Sequence, residues 1–244
     1  MSRLNGKRIL ITGGGSGIGL AAARLCLNEG AFVAITGRNQ TRLNEAVASL
    51  GGGDHLIAVP ADLTDPTQAG QLIATVTERL GRIDILVNNA GVNIKEREFH
   101  QLTPDSWRTL VAGNLEAAFH CMHAVLPQMR ERKDGLIINV NSISGKRANP
   151  LGGVAYIAAK FGLRGLAMGV GAEERSNNIR VTSIYPGEVN TPLLEARPEP
   201  VSEERKLAML QPEDVAAAIL FVATLPARAA IPEMVITPSN AQYI

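Results

Sequence analysis

Tyr156 and Lys160 stand four residues apart in the stretch YIAAK, a spacing that sets both on one face of a helix. A free phenol ionises near ~10, too weakly for acid–base work at neutral pH. An ammonium within ~4–6 Å favours the phenolate and can lower that value by about 1–3. Such a tyrosine can give a proton to a ketone oxygen as hydride reaches the carbon, or remove it in the reverse direction. Ser142 comes fourteen residues earlier, just after an apolar run. Its hydroxyl can hydrogen-bond the same substrate oxygen, a fixed donor for developing charge. Taken singly, these are a chance pairing and a turn serine; together they favour chemistry.

Hydride needs a carrier, and the amino-terminal stretch KRILITGGGSGIGLAAARL offers a site for one. Five glycines at 13, 14, 15, 17 and 19 separate an apolar run from an alanine-rich helix. Glycine there supplies positive φ and bare backbone for a close ligand. The spacing from Gly13 through Gly17 to Gly19 is G-x-x-x-G-x-G, not G-x-G-x-x-G. Gly13 would turn the chain off its strand, Gly17 admit a pyrophosphate, and Gly19 let the helix pack close. Gly15, Ser16 and Ile18 complete the cradle, and the helix amides and dipole face the phosphates. The next strand ends Thr36-Gly37-Arg38, with no acid to accept from a ribose 2′-hydroxyl. Arg38 can instead pair with a 2′-phosphate, which favours NADP(H), with NAD(H) as second choice. Asp62 would accept from the adenine amino group, while the Leu63 amide reaches a ring nitrogen.

Something must bring these segments together. Short β-branched runs near 7–12, 31–36, 55–59, 83–87, 135–140, 179–184 and 233–237 alternate with helical patterns. The helices are expected near 17–29, 40–50, 66–80, 103–130, 154–176 and 212–224. Nearly all-apolar strands imply an α/β fold, a Rossmann-like doubly wound parallel sheet with helices on both faces. The glycine loop, TGRN, ADLTD, NNAG, NSISG and YPGEVNTP follow six successive strands. They therefore share the carboxyl edge, where such sheets hold ligands. Residues 1–244 read as one domain, with the Pro- and Glu-rich stretch 191–206 as a mobile substrate flap.

A formal net charge of +1 offers no field for nucleic acid or an anionic membrane. The longest apolar stretch, 215–225, falls short of the roughly 20 residues of a membrane span. Cys26 and Cys121 sit inside apolar helical patterns, as buried thiols in a reducing compartment, so a cytoplasmic protein is expected. His120, Cys121 and His123 lack the three or four converging ligands of zinc, and no metal is expected. Lys146, Arg147 and Arg197 are either contacts for an acidic substrate or solvated loop charges.

In this order, TGGGSGIG, NNAG, Asn114, Ser142, YIAAK and PGEVNTP resemble the short-chain dehydrogenase/reductase family from the first strand to about Thr191. The resemblance implies about seven strands in the order 3-2-1-4-5-6-7. It implies a tetrad of Asn114, Ser142, Tyr156 and Lys160, with Asn114 helping to hold a water that links Lys160 to solvent. By the same resemblance Lys160 bonds the nicotinamide ribose, and Asn88, Ala90 and Gly91 flank the adenosine side. Pro186, Gly187, Val189 and Thr191 would frame the nicotinamide. The glycines at 162, 165, 169 and 171 permit close helix approach, and this family pairs such helices between subunits. A homodimer or homotetramer is therefore expected.

Three features depart from the family pattern. The Ser142–Tyr156 interval is one residue long, so KRANPLGGV should bulge. Gly113 stands where valine is usual and should loosen its helix. The tail IPEMVITPSNAQYI lacks a Val-Asp-Gly-Gly ending and resembles a subgroup ending IPE…P, which argues against an acyl-carrier-protein reductase. The expected activity is NADP-dependent, reversible reduction of a ketone (a 3-oxoacyl, hydroxy-acid or similar carbonyl) to a secondary alcohol. A nucleotide-sensing protein without turnover is the competing reading. A nucleotide-sugar epimerase would share Tyr-x-x-x-Lys but carry Gly-x-x-Gly-x-x-Gly and a longer carboxyl-terminal region.

Overall fold

The computed structural model of the chain describes residues 2–241, so the last three residues of the tail lie outside the described residues. The first half runs β1 (Arg8–Thr12), α1 (Gly17–Asn28), β2 (Phe32–Gly37), α2 (Gln40–Leu50), β3 (Leu56–Pro60), α3 (Pro66–Leu80) and β4 (Ile85–Asn88). The second runs α4 (Pro104–Val111), α5 (Ala117–Arg132), β5 (Gly135–Val140), α6 (Val154–Glu173), β6 (Ile179–Pro186), α7 (Glu203–Leu207), α8 (Pro212–Ala223) and β7 (Glu233–Ile236). All seven strands are parallel, in the order β3-β2-β1-β4-β5-β6-β7. The chain reverses direction across the sheet between β1 and β4, which opens a crevice at their carboxyl ends.

Side-chain alternation along β1 explains the two-sided core. Ile9 and Ile11 join the cluster formed with α1, α2 and α8, while Leu10 joins the one formed with α3 and α5. Each such fully buried aliphatic side chain contributes about 1.5–3 kcal/mol. Cys26 and Cys121 are buried among them, and burial pushes both thiols up to about 12. The strand-end loops are fixed by helix caps. Asn39 accepts from the Arg42 amide at the start of α2, and Asp65 accepts from the Thr67 amide at the start of α3.

Several elements differ from the sequence pattern. The helix expected over 103–130 is two helices joined by a π turn, Ala112–Glu116. Asn114 sits in that turn, donating to the carbonyls of Val92 (2.8 Å) and Leu110 (2.9 Å) and accepting from the Val92 amide (3.2 Å). Val92 presses on the turn so closely that a Cβ at Gly113 would lie 2.6 Å from its Cγ2. The loosening expected at Gly113 thus takes the form of one extra residue in the turn. The helix expected to 176 ends at Glu173, and a 3-10 turn, Glu174–Asn177, buries Glu174 against Arg130. The long Ser142–Tyr156 interval is absorbed by a 3-10 turn, Pro150–Gly152, followed by Gly153 at φ +77°. Within 191–206 the chain forms a 3-10 turn, Pro192–Ala196, and the start of α7. Paired backbone bonds between Glu188, Asn190 and Leu210 close the base of that segment. Among the described residues, no helix is long and apolar enough to cross a membrane.

Candidate active site

A cleft of about 470 Å³ runs along the carboxyl edge of the sheet. Gly13 has φ +64°, and a Cβ there would lie 3.0 Å from Asn89 Nδ2 and 3.1 Å from Ala90 Cα. At Gly19 a Cβ would fall 2.4 Å from the Gly13 carbonyl oxygen, so a side chain is excluded there, and at Gly13 the positive φ and tight neighbours would strain one. Ser16 begins α1 without a side-chain cap, leaving the first-turn amides free where Ser16, Gly17 and Ile18 line the cleft. Bare backbone and uncapped helix amides suit a pyrophosphate, so the residues present fit a dinucleotide.

Strand geometry corrects one residue of the NNAG segment. Asn88 is buried in the sheet and donates to Asn139 Oδ1 at 2.9 Å, whereas Asn89 faces the cleft. Asn89 pins β4 to the glycine loop, donating to the carbonyls of Thr12 (2.9 Å) and Gly13 (3.2 Å). Ala90 and Gly91 line the cleft as expected. Further along this edge Arg38 and Arg42 both line the cleft, and neither forms an ion pair with any described residue. Arg42 backs Gly15, whose Cβ would sit 3.6 Å from Arg42 Cβ. Asp62 and Leu63 fall outside the lining. Thr64 holds one oxygen of the Asp62 carboxylate through two bonds, and the buried Leu63 directs its carbonyl at His120 Nδ1, 2.9 Å away.

On the opposite wall the structure brings Asn114, Ser142, Tyr156 and Lys160 together. Ser142 Oγ accepts from the Ser144 amide at 3.1 Å, and Ser142 and Tyr156 line the cleft together. Lys160 Nζ lies 5.5 Å from the centre of the Tyr156 ring and donates to the Val140 carbonyl at 3.3 Å. Gly91 makes room for this group: a Cβ there would be 3.0 Å from Asn114 Oδ1 and 3.8 Å from Lys160 Nζ. Pro186, Gly187, Val189 and Thr191 line the same chamber, and Thr191 Cγ2 comes within 3.3 Å of where a Gly17 Cβ would stand.

The electrostatics run against the sequence expectation. Burial raises the Tyr156 pKa, and the Ser142 hydroxyl and the charge of Arg97 only partly offset it. Lys160 is itself 3% exposed, and burial pushes its own pKa down to about 8.

Arg42, Asn89 and Arg97 line the cleft without having been evident in the sequence. Arg97 lies in the irregular chain after β4, where no periodicity marks inward-facing positions. Of the basic residues considered above for an acidic substrate, Lys146 pairs with Glu233 at 2.7 Å and lies outside the lining, as does Arg147. Arg197 lines the cleft, paired with Glu188 at 3.1 Å.

The chain also has recognisable relatives. The sequence model described as short chain dehydrogenase matches residues 7–201. D-beta-hydroxybutyrate dehydrogenase of Rhizobium meliloti is 38% identical over 209 residues, covering 82% of this chain and 80% of that protein. A 3-oxoacyl-(acyl-carrier-protein) reductase of Thermotoga maritima is 34% identical, covering 91% and 92%. Among solved structures, the closed form of serine dehydrogenase complexed with NADP+ superposes with a TM-score of 0.88 at 31% identity, covering 97% and 96%.

Proposed function

The chain belongs to the short chain dehydrogenase family, and on that premise we propose that it reversibly reduces a ketone to a secondary alcohol with NADP(H), using Tyr156 as the acid–base group. The observation that carries this reading is that Ser142, Tyr156 and Lys160 line the same cleft as the glycine loop, with Lys160 Nζ 5.5 Å from the centre of the phenol ring.

A bound nicotinamide would supply or accept the hydride; all other steps fall to the chain's own groups. The Ser144 amide fills an acceptor position on Ser142 Oγ, which biases the Ser142 proton toward a substrate oxygen. Tyr156, a phenol whose pKa burial raises further, delivers its proton to that oxygen during reduction. Lys160 places an adjustable charge beside the phenol and would reach the cofactor ribose, with Asn114 bracing the turn beneath it. Arg38 and Arg42, with no carboxylate of their own, suit a 2′-phosphate and support NADP(H) over NAD(H).

The named relatives act on hydroxybutyrate, serine and a 3-oxoacyl group, all with oxygen at a carbon two bonds from a carboxyl-type carbon. A substrate of that kind is the reading adopted here. Phe119, Phe161 and Met168 on α5 and α6 are exposed by 46%, 41% and 60%, which supports pairing of these helices in a homodimer or homotetramer. Cytoplasmic location completes the proposal.

Purified protein with NADPH and a panel of ketones tests it by loss of NADPH absorbance. Turnover of at least one ketone, faster than with NADH, is expected. Tight NADPH binding with no turnover of any ketone would favour a sensor.

A further inference from the structure

Arg97 is a cation inside the cleft with no carboxylate partner among the described residues. It is 5% exposed, and its bonds go to main-chain carbonyls: Nε to Ile94 (2.8 Å), Nη1 to Leu151 (2.8 Å) and Nη2 to Ala196. Carbonyl oxygens solvate a charge without neutralising it. A guanidinium has five N–H groups, so one remains on each terminal nitrogen.

Its position relative to the catalytic tyrosine is fixed by packing. Gly153, which opens α6 three residues before Tyr156, is so close that a Cβ there would lie 2.6 Å from Arg97 Cβ. Arg97 and Tyr156 line one and the same cleft. Arg197, itself paired with Glu188 at 3.1 Å, is a like-charged neighbour in the same lining. An isolated buried charge is costly unless paired. Here burial and a like-charged neighbour both oppose the Arg97 cation, so an anion that arrives only with substrate would relieve both.

We propose that Arg97 receives a carboxylate of the substrate, so that the substrate is a short hydroxy or oxo acid and not a thioester or a neutral ketone. The inference rests on the reading of the cleft given under Proposed function. Arg97 holds one end of the acid while Ser142 and Tyr156 take the oxygen to be reduced or formed, which makes Arg97 a specificity-determining residue. Two carboxylates share the lining but do not compete. Glu188 is held by Arg197 and Arg205, and Glu195 is exposed at the rim. A thioester offers no charge for this guanidinium, whereas a carboxylate accepts both remaining N–H groups.

Calorimetric titration of the NADP+-saturated protein tests the site without turnover. The probes are straight-chain acids from acetate to hexanoate, each against its amide. The wild type should bind at least one acid roughly 100-fold tighter than its amide, as two charge-assisted hydrogen bonds would give. Arg97→Met should bring that ratio near 1, and Arg97→Lys should leave it intermediate. A wild-type ratio near 1 throughout the series overturns the proposal, and that result needs no variant to fold. An unchanged ratio in Arg97→Met, with both probes weakened alike, also overturns it and leaves Arg97 as a brace between loops. Selective acid binding with no oxidation of any hydroxy acid would uphold the anion site while counting against the catalytic role of Tyr156.

Discussion

Lys160 Nζ lies 5.5 Å from the centre of the Tyr156 ring, with the Val140 carbonyl at 3.3 Å as its hydrogen-bond partner. Burial holds its folded pKa near 8, below the unfolded value of ~10.4. A depressed pKa means that folding is penalised as the group takes up its proton. The penalty is absent above ~10.5, grows as pH falls toward 8, and is complete below that. Lys160→Met should therefore be more stable than the wild type by roughly 1–3 kcal/mol at pH 7, with the difference fading toward pH ~10.5. Urea denaturation across that range checks this, and a less stable variant at pH 7 would contradict it.

Arg38 and Arg42 together should set cofactor choice. The double substitution to Ala should raise KM for NADPH by roughly 10- to 100-fold, as expected for losing charge-assisted bonds to phosphate, with a far smaller effect on NADH. Steady-state kinetics with both cofactors measures it. Equal losses for the two would remove the 2′-phosphate role.

Glu233 joins β7 to the rest of the fold through Lys146 (2.7 Å), Arg164 (2.8 Å) and the Tyr185 hydroxyl (2.8 Å). Burial opposes its charge, but these three hydrogen bonds outweigh it and bring the carboxyl down to about 2. The unfolded value is ~4.3, so this stabilisation is whole above pH ~5 and is lost as pH falls through 4 toward 2. Glu233→Gln should lose about 1–3 kcal/mol at pH 7, and the deficit should shrink as pH falls toward 2. Thermal melts from pH 3 to 7 provide the check.

Gly113→Val would restore the residue usual in the family and place its Cβ 2.6 Å from Val92 Cγ2. Overpacking of this sort costs about 1–3 kcal/mol. Because Asn114 bonds both backbone groups of Val92, the variant should also slow turnover. A melting temperature equal to the wild type would show that Val92 yields freely.

The strands were legible because most are short, mainly apolar runs, and β5 begins and ends where the pattern places it, although β6 carries Arg180, Thr182 and Ser183. YIAAK was legible because helical spacing alone puts Tyr156 near Lys160. The π turn was not, since one residue inserted in a helix leaves no mark on apolar periodicity beyond the unusual Gly113. A single register step separates Asn88, turned to Asn139 in the sheet, from Asn89 on the cleft, because successive residues of a strand face opposite sides. Arg97 stayed hidden because its burial depends on carbonyls from Leu151 and Ala196, far away in sequence. The sign of the Tyr156 shift needed the depth of the site: spacing gives a neighbour, but only packing gives desolvation.

Whether Tyr156 is the acid–base group is tested most directly by turnover of Tyr156→Phe, measured alongside NADPH binding by the same protein. Loss of the hydroxyl should cut kcat by roughly 10²–10⁴-fold while leaving nucleotide affinity within a few-fold. A kcat within about threefold of the wild type, at equal NADPH affinity, would show that the proton is handled elsewhere.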